Sequence, residues 1–179
     1  MSMLPSTRFV VAVAVCATAL VPTIAQQPKP GFDVLHFETK IGSFKLLGGK
    51  DPAVGRLEMT FSGTVLIANV GAKVEMTGDV KKEAELKKSN RTVYHGTGKL
   101  VLDGSVRAVQ WFGHDLKATW KGSAIIRLFG EFDKDLNTGT YWYEALPDQR
   151  KPWYTGGMAA VVPMPENQRP IVGIPKSGN

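Results

Sequence analysis

Between residues 96 and 132 the chain alternates in hydrophobicity. Leu100, Leu102, Val106, Ala108, Phe112, Leu116, Trp120, Ile126 and Leu128 fall on even numbers, whereas Lys99, Asp103, Arg107, Lys117, Lys121 and Arg127 fall on odd ones. A period of two predicts β-strand, with even residues turned inward and odd residues toward water. Glycines recur at 96, 104, 113, 122 and 130. A spacing of eight or nine fits one strand span plus one corner of an all-β domain.

The parity narrows the architecture further. A two-residue hairpin places positions i and i+3 opposite each other, so inward parity flips at every such turn. Here it holds even across Asp103-Gly104. The pattern predicts either a glycine-cornered β-solenoid, in which the chain bends at each glycine and keeps one face inward, or a flattened β-sandwich whose loops or bulges preserve parity.

The same rhythm begins upstream at Gly55, Gly63, Gly71 and Gly78, after short strands expected near residues 34–37 and 43–46. Residues 81–91 carry Lys81, Lys82, Glu83, Glu85, Lys87, Lys88 and Arg91 with no inward face, which predicts strand ends and an exposed charged loop. Residues 140–144 form a last strand rich in aromatics, a cap for the open end of the β-structure. Six prolines after residue 146 predict an extended tail over 146–179, strapped on by Trp153-Tyr154 and Val161-Val162. Its last ten residues are expected to be loose.

The first 25 residues stand apart. Arg8 precedes an apolar run over 9–21, too short to span a bilayer comfortably, and small residues precede a polar start at Gln26. That order predicts a cleaved signal peptide over 1–25, a flexible lead-in over 26–31 and an all-β domain over 32–145. The single cysteine, Cys16, lies in the signal, so the exported chain would hold no disulfide, thiol nucleophile or cysteine-ligated metal. The address expected is secreted, periplasmic or cell-surface, in a bacterial envelope. No membrane span is expected after cleavage.

The whole chain has 22 basic and 16 acidic residues, a net charge of +6, and loss of Arg8 leaves 21 against 16. The basic residues are scattered, which fits solubility and attraction to anionic envelope polymers and does not suggest a nucleic-acid groove.

Candidate chemistry is sparse. His114-Asp115 would make a general base with its orienting carboxylate only if the side chains met, and neighbours on a strand point apart. His36, His95 and His114 show no ligand spacing for zinc. Asp133, Asp135, Asn137 and Glu144 echo the oxygen ligands of a calcium loop, but Thr138 stands where the sharp bend needs glycine; a plain turn is the simpler expectation. No cofactor is expected.

Trp111, on the odd face, and the cluster Tyr141, Trp142 and Tyr143 are candidate ligand-binding aromatics, since exposed rings stack on sugars. The pattern therefore points to a non-enzymatic structural or interaction module of the envelope or extracellular space, with an envelope polymer, polysaccharide or protein as partner. A carbohydrate-binding module is the alternative, and a hydrolase with unrecognised residues the third reading.

Overall fold

A computed structural model describes residues 31–130, 139–153 and 157–170. Residues 1–30 and 131–138, and with them the expected signal peptide, Asp133, Asp135 and Asn137, lie outside the described residues, as do the last nine. The described chain is all-β: β1 (Val34–Leu47), β2 (Ala53–Asn69), β3 (Lys73–Leu86), β4 (Arg91–Phe129), β5 (Gly139–Tyr143), β6 (Lys151–Pro152) and β7 (Met158–Val162). The strands join one seven-stranded sheet. Partner numbers fall wherever a strand's own numbers rise, so the pairing is antiparallel.

The alternation from residue 96 onward falls on the 39-residue β4, which ends at Phe129 and on which the other long strands assemble. β3 pairs with its first third from Lys73↔Asp103 to Leu86↔Arg91. β2 meets β4 along both of its own edges: Gly55 faces Gly104 on one side and Gly122 on the other, and Leu57 faces Leu102 and Trp120. β1 does likewise at one end, where Phe44 faces Trp111 and Leu128. The same strand thus returns seventeen or eighteen residues later, about two of the glycine intervals. β5 flanks β1, and β7 runs along the end of β4 from Ala124↔Val162 to Leu128↔Met158.

Glycine makes the bends. Gly55, Gly104 and Gly122 stand side by side at one corner, and Gly96, Gly63, Gly113 and Gly42 at another. Gly63 has φ +128° and Gly113 φ +156°, and a Cβ on Gly113 would lie 2.8 Å from the Gly63 Cα and nearer still to the Ser62 carbonyl. No L side chain fits there.

Bending at Gly42 brings Phe37 and Phe44 of one strand edge to face at 5.1 Å, although seven extended residues span about 23 Å. Phe44 stacks in turn on Trp111 at 6.0 Å. Leu35, Leu57, Leu100, Leu102, Trp120, Ile126 and Trp153 complete one continuous core.

Three expectations change. The even parity of β4 is interrupted: Val109 and Trp111 are buried and Phe112 is exposed. The cause is two one-residue register shifts against β2. The first leaves Arg107 without a partner between Asn69↔Val106 and Ala68↔Ala108, and the second falls between Ser62↔His114 and Thr60↔Lys117, where Asp115 has φ +53°. Each extra residue turns the strand over, so only the stretch between them is inverted.

The charged run is also more ordered than expected. It continues β3 to Leu86 before a 3-10 turn at Lys87–Ser89. Among the described residues β3 pairs only with β4, and its exposed Lys and Glu blunt the edge left open there. Finally, the proline-rich segment is attached at Trp153 and at Val161 and Val162 as expected, but as part of the sheet and core and not as an extended tail: it contributes β7 and the buried Trp153.

Two substitutions test the corners. Gly63→Ala should lower unfolding stability by at least about 2 kcal/mol in urea melts. Gly49→Ala, whose Cβ would meet nothing within 4 Å, should change it by less than about 0.5 kcal/mol.

Candidate functional site

The outward side chains form ladders, because residues directly opposite in an antiparallel pair share a face. On one half of the sheet these ladders are charged. One runs Lys121, Arg56, Asp103, Lys73; the next runs Trp142, His36, Thr119, Glu58; a third runs Thr140, Glu38, Lys117, Thr60, Lys99.

Opposite charges meet along and between the ladders. Arg56 donates to Glu58 at 2.8 Å and to Asp103 at 3.1 Å, and Lys73 lies 2.6 Å from Glu75. The Arg56 guanidinium holds the Glu58 carboxyl below its ordinary range, and the Lys73 ammonium does the same to Glu75.

A shallow groove crosses this face in two adjoining parts of about 600 and 340 Å3, which share Glu38, Thr60 and Lys117. At one end His36 is hydrogen-bonded to Thr119 at 3.0 Å, lies 3.4 Å from Glu144 and stacks on Trp142 at 5.2 Å. Arg150 covers the other face of Trp142 at 3.9 Å and reaches Glu38 at 3.2 Å. At the other end His114 and Asp115 do meet, Nδ1 to Oδ2 at 2.9 Å. The left-handed backbone at Asp115 defeats the strand rule that sets neighbours apart. The histidine hydrogen bond, then Lys40 at 3.4 Å, hold the Asp115 carboxyl below its ordinary range.

The other half of the sheet is dressed differently. One outward ladder runs His95, Thr64, Phe112, Ser43, Phe129, so the two phenylalanines flank β1 on successive passes of β4. The next holds Leu66, Gln110, Lys45, Arg127 and Ala159, and the third Ala108, Leu47, Ile125 and Val161. Phe112 is 47% exposed, Val161 40% and Phe129 38%. Lys45 and Arg127 stand side by side at the centre, and these three ladders contain no carboxylate.

The aromatics singled out by the sequence are placed otherwise than expected. Trp111 is 0% exposed and belongs to the core, because the register shift at Arg107 turns its strand segment over. Tyr141 and Tyr143 are buried as well, pointing inward from β5 where it pairs with β1. Only Trp142 faces outward, with both ring faces occupied. Glu144 sits beside His36, while the other three candidate calcium ligands lie outside the described residues.

Phe129 is outward as its odd number predicts, whereas Phe112 was expected inward. Asp115 was the available signal for the difference, since aspartate directly after Gly113-His114 is among the few residues that accept a left-handed turn. Among the described residues no three His, Asp or Glu side chains are grouped as metal ligands. No protein-family model, curated protein or solved structure matches the chain.

Two measurements test these placements. Trp111→Ala should cost about 3–5 kcal/mol of stability, the range for truncating a buried aromatic, so it reads the core and not a binding surface. The Tyr143 hydroxyl donates to the Val161 carbonyl at 2.6 Å, and burial pushes its pKa up to about 12. The unfolded phenol ionises near pH 10, so this contribution to stability is intact below about pH 10 and is lost as pH rises toward 12. Denaturant melts between pH 9 and 12 should show the fall, and Tyr143→Phe should remove that step while costing about 1 kcal/mol at neutral pH.

Proposed function

We propose that the chain is an exported, non-enzymatic interaction module whose frame is a flattened, glycine-cornered β-sandwich. The observation that carries the interaction reading is the outward face of Phe112, Phe129, Leu47, Ile125 and Val161, an apolar surface displayed on bent, hydrogen-bonded strands. Grouped exposed hydrophobics mark contact surfaces far more often than isolated ones do. A rigid frame also spares a docking surface the entropy of ordering on contact.

Support for the flattened sandwich over the solenoid comes from the antiparallel pairing: β4 returns to both edges of β2 after seventeen or eighteen residues, so its two passes flank β2 and do not stack on each other in parallel as the coils of a solenoid do. Export rests on the signal-like order of residues 1–25.

A second reading has its own support. The polar groove, ending at Trp142 and edged by Glu38, Lys117 and Thr60, offers donors and acceptors of the kind sugars use. For a ring face of Trp142 to stack on a sugar, Arg150 must swing away from it.

Retention of the full chain on insoluble peptidoglycan, cellulose and chitin, at low and high salt, separates the two. The interaction module should show no salt-resistant glycan retention that depends on Trp142. Salt-resistant retention abolished by Trp142→Ala would move the function to the polar groove, whereas retention that salt removes reflects only net charge. Turnover of a glycan or ester panel, lost on His114→Ala, would overturn the non-enzymatic reading.

A further inference from the structure

We infer that the apolar half of the sheet is a docking face for an acidic lipid surface. The inference rests on the interaction reading above and names its partner. Three features of the face carry it.

The first is the apolar content and its placement. Phe112 and Phe129 face outward from the two passes of β4 that flank β1, two strand spacings or about 10 Å apart, with Val161 at the far margin. Side chains held this way enter the boundary between headgroups and acyl chains together, while the strands stay outside the hydrocarbon.

The second is the sign of the charge. Lys45 and Arg127 are direct neighbours across β1 and β4, in the ladder next to the phenylalanines. The other half of the sheet sets its cations against Glu38, Glu58, Glu75, Asp103 and Asp115, but the apolar ladders contain no carboxylate to do this. Two adjacent cations in an apolar surround match a layer that offers anionic headgroups above apolar chains.

The third is what the same charges disfavour. A second copy seated face to face would bring Lys45 and Arg127 against their own counterparts, with no carboxylate in these ladders to offset the desolvation. A neutral polysaccharide would leave both cations unmatched. An acidic lipid layer answers both groups and the apolar rings at once.

The test is co-flotation of the full chain with phosphatidylcholine vesicles with and without phosphatidylglycerol, together with light scattering to follow oligomeric state. Wild type should partition onto the acidic vesicles and much less onto the neutral ones. Lys45→Gln/Arg127→Gln should lower that partition about ten- to thirtyfold, at about one factor of five per interfacial cation. Phe112→Ser/Phe129→Ser should lower it about tenfold or more. Both pairs lie on the surface, and the emission of the buried Trp111 and Trp120 reports whether each variant is folded. Residues 9–21 are present in every variant, so differences between variants read the face alone.

Lys73→Gln/Lys121→Gln removes the same charge from the opposite half of the sheet and should leave the partition within about twofold. An equal loss in that control, equal partition onto neutral vesicles, or no partition at all would overturn the lipid assignment. If Phe112→Ser/Phe129→Ser instead dissolves an oligomer, the interaction reading stands and a second copy replaces the lipid. If the two phenylalanines change neither vesicle partition, oligomeric state nor polymer retention, both readings fall.

Discussion

The structure depends on strands approaching at two corners more closely than any side chain allows. Gly63 sits between Gly96 and Gly113, and Gly55 between Gly104 and Gly122, each with its Cα against a neighbouring strand's backbone. Glycine is the residue that loses most conformational freedom on folding, so each corner costs about 0.5–1 kcal/mol relative to alanine in a regular strand. The return is that one strand can turn its inner side chains against each other, as Phe37 and Phe44 do within β1. Two indoles help cover the bends: the Trp120 ring lies 2.8 Å from where a Gly55 Cβ would be, and the Trp153 ring 3.2 Å from that of Gly42. Aromatic cover over a strand glycine restores apolar contact that the missing side chain cannot supply. The cost appears at Trp111, Trp120 and Trp153, whose indole N–H groups are buried with no partner among the described residues.

Much of the frame was legible in the sequence. The alternation of β4 and the eight- or nine-residue glycine spacing both report backbone period, and period is what a strand and its corners impose on composition. Gly55, Gly63, Gly96, Gly104, Gly113 and Gly122 all adopt positive φ. What the sequence hid was phase. A β-bulge inserts one residue with no compositional mark, since Arg107 looks like any other outward cation. The charged run and the proline-rich segment were obscured for another reason. A strand paired on one edge need not show an inward face, and β7 is short enough to fit between Gly157 and Pro163.

The candidate site was less legible because it is a property of ladders, not of segments. Phe112 and Phe129 are seventeen positions apart in the chain and become neighbours only because Ser43 pairs with both. Lys45 and Arg127 come together through the same double pairing. No local window contains these pairs, and their coincidence follows from the return of β4 to the far edge of β1. The charged half shows the same logic: Trp142, His36, Thr119 and Glu58 come from four strands and form one row.

The two register shifts in β4 decide which aromatic the molecule keeps and which it shows. With uninterrupted alternation Phe112 would join the even-numbered core and Trp111 would stand outside. The unpartnered Arg107 inverts the strand, and the left-handed Asp115 restores it, so the inversion is confined to a few residues around Gly113. Within that window the larger ring stacks on Phe44 in the core, and the smaller one is displayed beside Phe129. A single shift would have carried Leu116, Trp120, Ile126 and Leu128 outward as well, emptying the core. The second bulge is therefore what makes the first one tolerable. Together they allow an apolar outer face to be built opposite an intact apolar core, on a strand whose alternation would otherwise have supplied only one of the two.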